Sequence, residues 1–315
     1  MTRREFMAGA AAAAGLTASA GCKCVGGGAD ATNGKCVGAC GDGSKILFGA
    51  CRGPADTKLM KSIGYDFFEW GVASAFGPDK DGEWWKRQRD LILSQPIPLR
   101  SCNGFLPGTF RLTGPKADFA PALVYAETAL RRAEEVGVKT VVFGSGGARN
   151  VPGDICGAKE QKPLAEKGVQ QYTEFCRLLC AKVADLKNVQ IVIEPLRPNE
   201  SNIINYVWQG LQIIEDVGSP RLRQLADIFH MMMGRECAES IVKAGDLLKH
   251  CHIASYDTRQ FPGSDPAQVG RLKPYFDALK KIGYTGGVSC ECGWGEKNDL
   301  AKNLETALTT MKGLI

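Results

Sequence analysis

Short apolar runs alternate with longer segments whose apolar residues recur every three or four positions, and the alternation repeats along residues 45–315. The runs are residues 46–51, 65–71, 99–105, 140–144, 189–196, 225–229, 251–255 and 287–292. Each is short and β-branched, aromatic or Cys-rich, which predicts strands buried on both faces. The first helical segment follows Pro54, sets Leu59, Met60 and Ile63 on one side and stops at Gly64; residues 118–137, 166–186, 203–217, 268–283 and 300–312 repeat the helical period. Strands alternating with helices predict parallel pairing through right-handed crossovers. An open doubly wound sheet would alternate too. Eight units without a dinucleotide fingerprint instead predict a closed (β/α)8 TIM barrel, a single domain over residues 45–315. Gly144-Ser145-Gly146-Gly147 follows the fourth strand, but no Lys-Ser/Thr pair follows it, so it is read as a loop at the barrel mouth rather than a P-loop.

Composition narrows the class without changing the fold. At 315 residues, 44% apolar and 23% charged, the chain has the makeup of a globular protein with a sizeable core, which excludes a disordered chain, a collagen-like fibre and a coiled coil. The net charge of +5 is spread along the chain with no basic stripe, so nucleic acid is not expected as a partner. A homo-oligomer is compatible with the sequence.

The N-terminus reads differently. Residues 1–20 join Arg3-Arg4-Glu5-Phe6 to an Ala/Gly/Leu run ending Ala18-Ser19-Ala20, the layout of a cleavable export signal too short to span a membrane stably. The paired arginines resemble a twin-arginine signal, which implies export after folding and a periplasmic location. An ordinary secretory signal is the alternative. Cys22 could take a lipid anchor, though Ser19 stands where a lipobox usually has Leu. Residues 21–44, one third glycine, hold Cys22, Cys24, Cys36 and Cys40; this stretch is predicted as a linker, stapled by disulfides or holding a metal. The remaining nine of thirteen cysteines are scattered, and Cys176, Cys180 and Cys251 are read as small core residues.

Candidate chemistry gathers at the strand ends, because in a barrel all eight C-terminal ends converge on one mouth. The fifth strand ends in Glu194, the sixth in Asp227, the seventh in His252 and the eighth in Glu291, at intervals of 33, 25 and 39 residues. Singly, each reads as a salt-bridged rim residue or a satisfied core histidine. Together, three carboxylates and an imidazole in one cavity need a cation, since buried carboxylates are costly unless paired or coordinating. Such donors suit Mn²⁺, Mg²⁺, Co²⁺ or Zn²⁺, with Mn²⁺ the first expectation. His250 lies two residues before His252 and shares its face; the position nearer the strand end favours His252 as the ligand.

The order Glu-Asp-His-Glu on strands five to eight resembles the xylose isomerase-like barrel superfamily, in particular the sugar phosphate isomerase/epimerase family that includes tagatose and psicose epimerases. The resemblance covers residues 45–315. It implies that Glu194, Asp227, His252 and Glu291 hold one divalent metal and that Glu194 and Glu291 also move the proton. A second glutamate six positions after the first ligand matches Glu200, an Asp-x-x-His pair matches Asp227-Ile-Phe-His230, and Gly64-Tyr-Asp-Phe-Phe-Glu69 looks like the second-strand signature, which places Glu69 at the mouth. The substrate-contacting arginine is shifted by one position, to Arg259. The loop after strand four is glycine-rich where ketose epimerases carry a Trp, and the export signal is also unlike them.

These parts imply a metal-dependent sugar isomerase or epimerase. The ion polarises a carbonyl, one glutamate removes the neighbouring proton, and the other returns it after an enediolate. Glu69, Glu200, His230 and Arg259 are expected to orient the sugar, and Trp70 and Trp294 to pack against its ring or simply within the fold. Trp84 and Trp85 are read as structural. The main alternative is a metal-dependent lyase or hydratase acting on oxidised (3-keto) glycosides, with the same metal and enolate. A non-catalytic sugar-binding barrel is another. A three-zinc nuclease would need more histidines than the chain's three.

Overall fold

In the computed structural model of the protein, residues 45–153, 162–296 and 299–315 are described. The export signal, the cysteine linker and the anchor residue Cys22 lie outside them. The strands are β1 (Leu47–Cys51), β2 (Phe67–Gly71), β3 (Leu99–Asn103), β4 (Thr140–Phe143), β5 (Gln190–Ile193), β6 (Leu222–Asp227), β7 (Leu248–Ile253) and β8 (Gly287–Cys290). Each pairs in parallel with its sequence neighbours, and β1 pairs with β8 to close the barrel. The fold is the predicted TIM barrel. No helix among the described residues is long and apolar enough to cross a membrane.

Alternation along the strands divides the core in two. Val141, Phe143, Ile191, Ile193 and Ala226 point outward into the main apolar layer under the helices, while Val142, Val192 and Leu225 form a separate small cluster inside the barrel. The helices supply the other half of the outer layer. Ala120–Glu135, for example, buries Ala122, Ala126, Ala129, Leu130 and Ala133, one stripe at helical spacing. Inside, the Phe67 ring fills the space left by two glycines on neighbouring strands, since a methyl on Gly49 or Gly287 would lie within 3 Å of that ring. Above Phe67 the interior turns polar, with Glu69, Ser101, Thr140, His250 and His252 all buried.

Several boundaries differ from the sequence expectation. Strands six and seven begin three residues earlier than the runs at 225 and 251, because their first halves carry Arg223, Gln224, Lys249 and His250 and so do not read as apolar. Strand six also ends at Asp227; Ile228 and Phe229 open a short helix, Ile228–Met233. The helix expected from residue 203 begins at Val207, since Ile204 sits at φ 60°, a left-handed backbone that a β-branched residue rarely adopts. The segment from 268 is a 3-10 helix (Pro266–Arg271) before the α-helix Lys273–Lys281.

Candidate active site

Each carboxylate at the mouth is aimed by its local backbone. Asp227 ends β6 and caps the helix that follows: Oδ1 accepts from the N–H groups of Phe229 (2.7 Å) and His230 (3.3 Å), so the carboxylate is fixed and Oδ2 is turned toward the His230 ring. Glu194 follows β5 and is buried against the loop after β4. A methyl on Gly144 would collide with Glu194 Oε2, so glycine permits this approach of the carboxylate to the loop. Glu291, just past β8, has both oxygens occupied: Asn103 Nδ2 donates to Oε1 at 2.8 Å and Arg259 Nη2 to Oε2 at 2.8 Å.

The four residues expected to share an ion do converge. Ligand atoms of Glu194, Asp227, His252 and Glu291 all lie within 4.8 Å of one another. The first three are buried, whereas the Glu291 side chain is 23% exposed, which makes it the member open to the mouth. Their chemistry fits a hard divalent cation. Glu69, fully buried, takes His250 Nε2 at 2.8 Å and His252 Nε2 at 2.9 Å, and a carboxylate only accepts, so both rings donate through Nε2. A neutral His252 then presents a lone pair at Nδ1, 2.9 Å from the acceptor Glu194 Oε1. Two acceptors at that distance need a cation between them, either a proton or a metal ion. A ligand histidine held from behind by a carboxylate is the usual arrangement around a metal.

Set by the protein groups alone, the electrostatics agree. Burial pushes the Glu194 carboxyl above the usual carboxylate range, and Glu291 and Asp227 push it the same way against the His252 contact. Burial opposes the charged form of His252, but Glu69, Glu291 and Glu194 outweigh it and raise the imidazole well above its ordinary value. Burial would raise Glu69 too; the charges and hydrogen bonds of His252 and His250 reverse the sign and hold it ionised. His250 is lowered, chiefly by burial, and stays a neutral donor.

The other expected site residues separate into three groups. Glu200, Arg259 and His230 join the cluster: Arg259 Nη1 donates to Glu200 Oε1 at 2.9 Å, bridging it to Glu291, and His230 Nε2 lies 3.4 Å from Asp227 Oδ2 and 3.7 Å from Glu200 Oε2. Both His230 ring nitrogens are buried without a hydrogen-bond partner among the described residues, which is a place for a ligand hydroxyl. Glu69 joins from below. The expectation that it reaches the mouth is corrected, because it is enclosed between two histidine layers on an inward strand position. Trp70 and Trp294 stand apart: Trp70 is half-buried beside Gly53 in the loop after β1, and Trp294 is buried parallel to Phe261 at 6.1 Å.

Three contributors were not legible in advance. Asn103 ends β3 at an inward position shared with Ser101, and its polarity there was the available signal. Arg197 donates Nε to Glu200 Oε1 at 2.8 Å. Arg149, in the glycine-rich loop, is fully buried with no carboxylate on it; it donates to Ser201 Oγ and to the carbonyls of Phe143, Glu194 and Ile204, and stacks over Tyr172. It ties the ends of β4 and β5 to the strained Ile204 loop that carries Glu200. The cysteines behave as expected where described: Cys176, Cys180 and Cys251 are buried, and no disulfide joins the described cysteines.

Comparison with known proteins defines the class. The family model "Xylose isomerase-like TIM barrel" matches residues 57–313, so the chain belongs to that family. It is 26% identical over 206 residues to a probable ketose 3-epimerase from Synechocystis, covering 65% of this chain and 68% of that protein. It is 32% identical over 116 residues to a D-psicose 3-epimerase from Agrobacterium fabrum, covering 35% and 38% respectively, so that match spans well under half of the relative. Among solved structures, a 3-keto-D-glucoside 4-epimerase from E. coli superposes with a TM-score of 0.69 at 19% identity, covering 85% of this chain and all of the other, a likeness of fold.

Proposed function

We propose that the protein is a divalent-metal-dependent sugar epimerase or isomerase that exchanges a proton at a carbon next to a carbonyl. The observation that carries this is the convergence of two glutamates from non-adjacent strands, Glu194 and Glu291, on one point shared with Asp227 and His252. The ketose 3-epimerase relatives support the sugar and the reaction class.

Glu194, Asp227, His252 and Glu291 are the residues that would hold the ion. When bound, it supplies Lewis-acid polarisation of the substrate carbonyl and acidifies the neighbouring C–H. Proton transfer then falls to Glu194 and Glu291. Glu194 is buried, and burial pushes its carboxyl above the usual carboxylate range, which makes it a stronger proton acceptor than an exposed glutamate. Glu291 is partly exposed and bracketed by Asn103 and Arg259, which hold its carboxylate in one orientation. If one takes the proton from one face and the other returns one to the opposite face, the carbon is epimerised. His230 and Glu200 supply hydrogen-bonding groups for the remaining hydroxyls.

The test is incubation of the Mn²⁺-loaded protein with free ketoses and 3-keto glycosides in D₂O, followed by mass spectrometry and NMR of the product. Deuterium at one carbon with inverted configuration is the expected result. Loss of a β-substituent would assign a lyase, and binding without exchange would assign a non-catalytic receptor.

A further inference from the structure

The opposite end of the barrel holds a feature that the reaction does not use. In the β2–β3 ladder, Phe68 and Glu69 are consecutive but face Leu99 and Ser101, so Arg100 is the extra residue of a bulge in β3. The same happens in β7: Gln224 and Leu225 face Leu248 and His250, so Lys249 is extra. Bulges in parallel ladders are uncommon, and a bulge re-aims the side chain it carries. Both lie near the N-terminal ends of their strands, and both extra residues are cations. Both line one cavity of about 280 Å³ at the bottom of the barrel, together with Lys139 at the start of β4.

None of Arg100, Lys139 and Lys249 is in an ion pair among the described residues. The one carboxylate lining the cavity, Asp246, is exposed. Three cations against one carboxylate leave the lining with a net positive charge, which an anion seated among them would offset. The guanidinium fork and two ammonium groups suit a tetrahedral oxyanion, the fork in two-point contact and the lysines as point charges. The volume lies just below that of typical small-molecule pockets, roughly 300–1,000 Å³, and is large enough for a phosphate or a small phosphate ester.

The geometry points to an anion-binding site for a phosphate group at the bottom of the barrel, formed by Arg100, Lys139 and Lys249 and separate from the reaction centre. The shared chemistry is the phosphate dianion, from inorganic phosphate or from a small phosphate monoester.

The experiment is equilibrium dialysis of the metal-loaded protein against inorganic phosphate at constant ionic strength, compared with the double variant Arg100→Gln/Lys249→Gln. The wild type is expected to hold one saturable equivalent that the double variant lacks, with turnover and melting temperature in phosphate-free buffer retained. Removing a charged hydrogen-bond donor weakens binding about tenfold or more. Should the double variant fail to fold, Lys139→Gln replaces it: that side chain is exposed, and the expected loss is again about tenfold. Repeating the dialysis with glycerol 3-phosphate separates the sources, since tighter binding of the ester marks a phosphorylated metabolite and equal or weaker binding marks the inorganic ion. A wild type that binds no phosphate overturns the proposal. So does a folded double variant, or a Lys139→Gln variant, that binds it as tightly as the wild type.

Discussion

Replacing Glu69 by Gln tests whether this residue touches the sugar or holds the metal ligand from behind. The carboxylate accepts one N–H from His250 and one from His252, at 2.8 and 2.9 Å, with no exposed surface. Glutamine offers one acceptor and one donor face, so one imidazole must become an acceptor. If the amide oxygen faces His252, the ligand keeps its Nδ1 lone pair but loses the negative charge that makes it basic. If the amide nitrogen faces His252, the proton moves to Nδ1 and the lone pair is lost to the ion. Both outcomes weaken the site. Substitutions behind a metal ligand typically cost 10–100-fold in affinity, about 1.4–2.7 kcal/mol. Mn²⁺ affinity measured by chelator competition should fall by about that factor, and the metal-dependent gain in melting temperature should shrink with it. At saturating metal, KM for the sugar should stay within about twofold of wild type, because a residue acting through His252 binds metal and not substrate. Unchanged metal affinity with a raised KM would refute the reasoning and return Glu69 to the substrate-contacting role that the sequence resemblance implies.

Other perturbations probe other layers of the site. Glu291→Gln keeps a donor oxygen but cannot carry a proton at neutral pH, so turnover should drop at least ~10²-fold while the melting curve keeps its shape; normal turnover would leave Glu291 outside the proton path. Gly144→Ala drives a methyl into Glu194, and both activity and stability should fall, the latter by about 1–3 kcal/mol in denaturant unfolding; a silent substitution would contradict the packing of this loop. Arg149→Met strips its hydrogen bonds from three carbonyls and should cost roughly 2–4 kcal/mol, with urea melts as the measure. In chelator, Glu194 and His252 both have raised folded-state values, so their contribution to stability grows as pH falls from 8 toward 5; with metal bound, protons compete for the same atoms. The melting temperature gap between metal-loaded and chelated protein should therefore narrow on acidification, and a constant gap would argue against these four ligands.

What the sequence made legible follows from where each residue's signal is local. The barrel was readable because outward strand residues such as Val141, Phe143, Ile191 and Ile193 are apolar next to inward Val142 and Val192, giving unbroken runs. Strands six and seven were misplaced at their starts for the converse reason: Arg223, Gln224, Lys249 and His250 occupy polar positions at the lower end of the barrel. The convergence of Glu194, Asp227, His252 and Glu291 was legible because the strand ends of a barrel meet by topology, whatever the loops do. The partners that orient them were not. Glu69 and Asn103 declare a polar inward position but not its depth, and depth decides between a substrate contact and a support. Arg149 has no local signal at all, since its partners are backbone carbonyls supplied by three separate segments.

The layering of the interior explains why so many charges can sit in one barrel. Phe67 closes the lower part of the interior against Gly49 and Gly287, so the groups above it meet little water from below. On that floor stands neutral His250, then ionised Glu69, then His252, then the carboxylates of Glu194, Asp227 and Glu291, each donor meeting an acceptor until the mouth is reached. The stack runs out of donors at the top. Arg259 and Asn103 are spent on Glu291, and Asp227 is held by two N–H groups, so Glu194 and its neighbours face one another with His252 between them. Such a stack is completed either by a proton between His252 and Glu194 or by a divalent cation, and only the cation leaves Glu194 free to accept a proton from a substrate. Metal binding and general-base catalysis are thus two consequences of the same shortage of donors, and a perturbation that supplies a donor to these carboxylates should weaken both together.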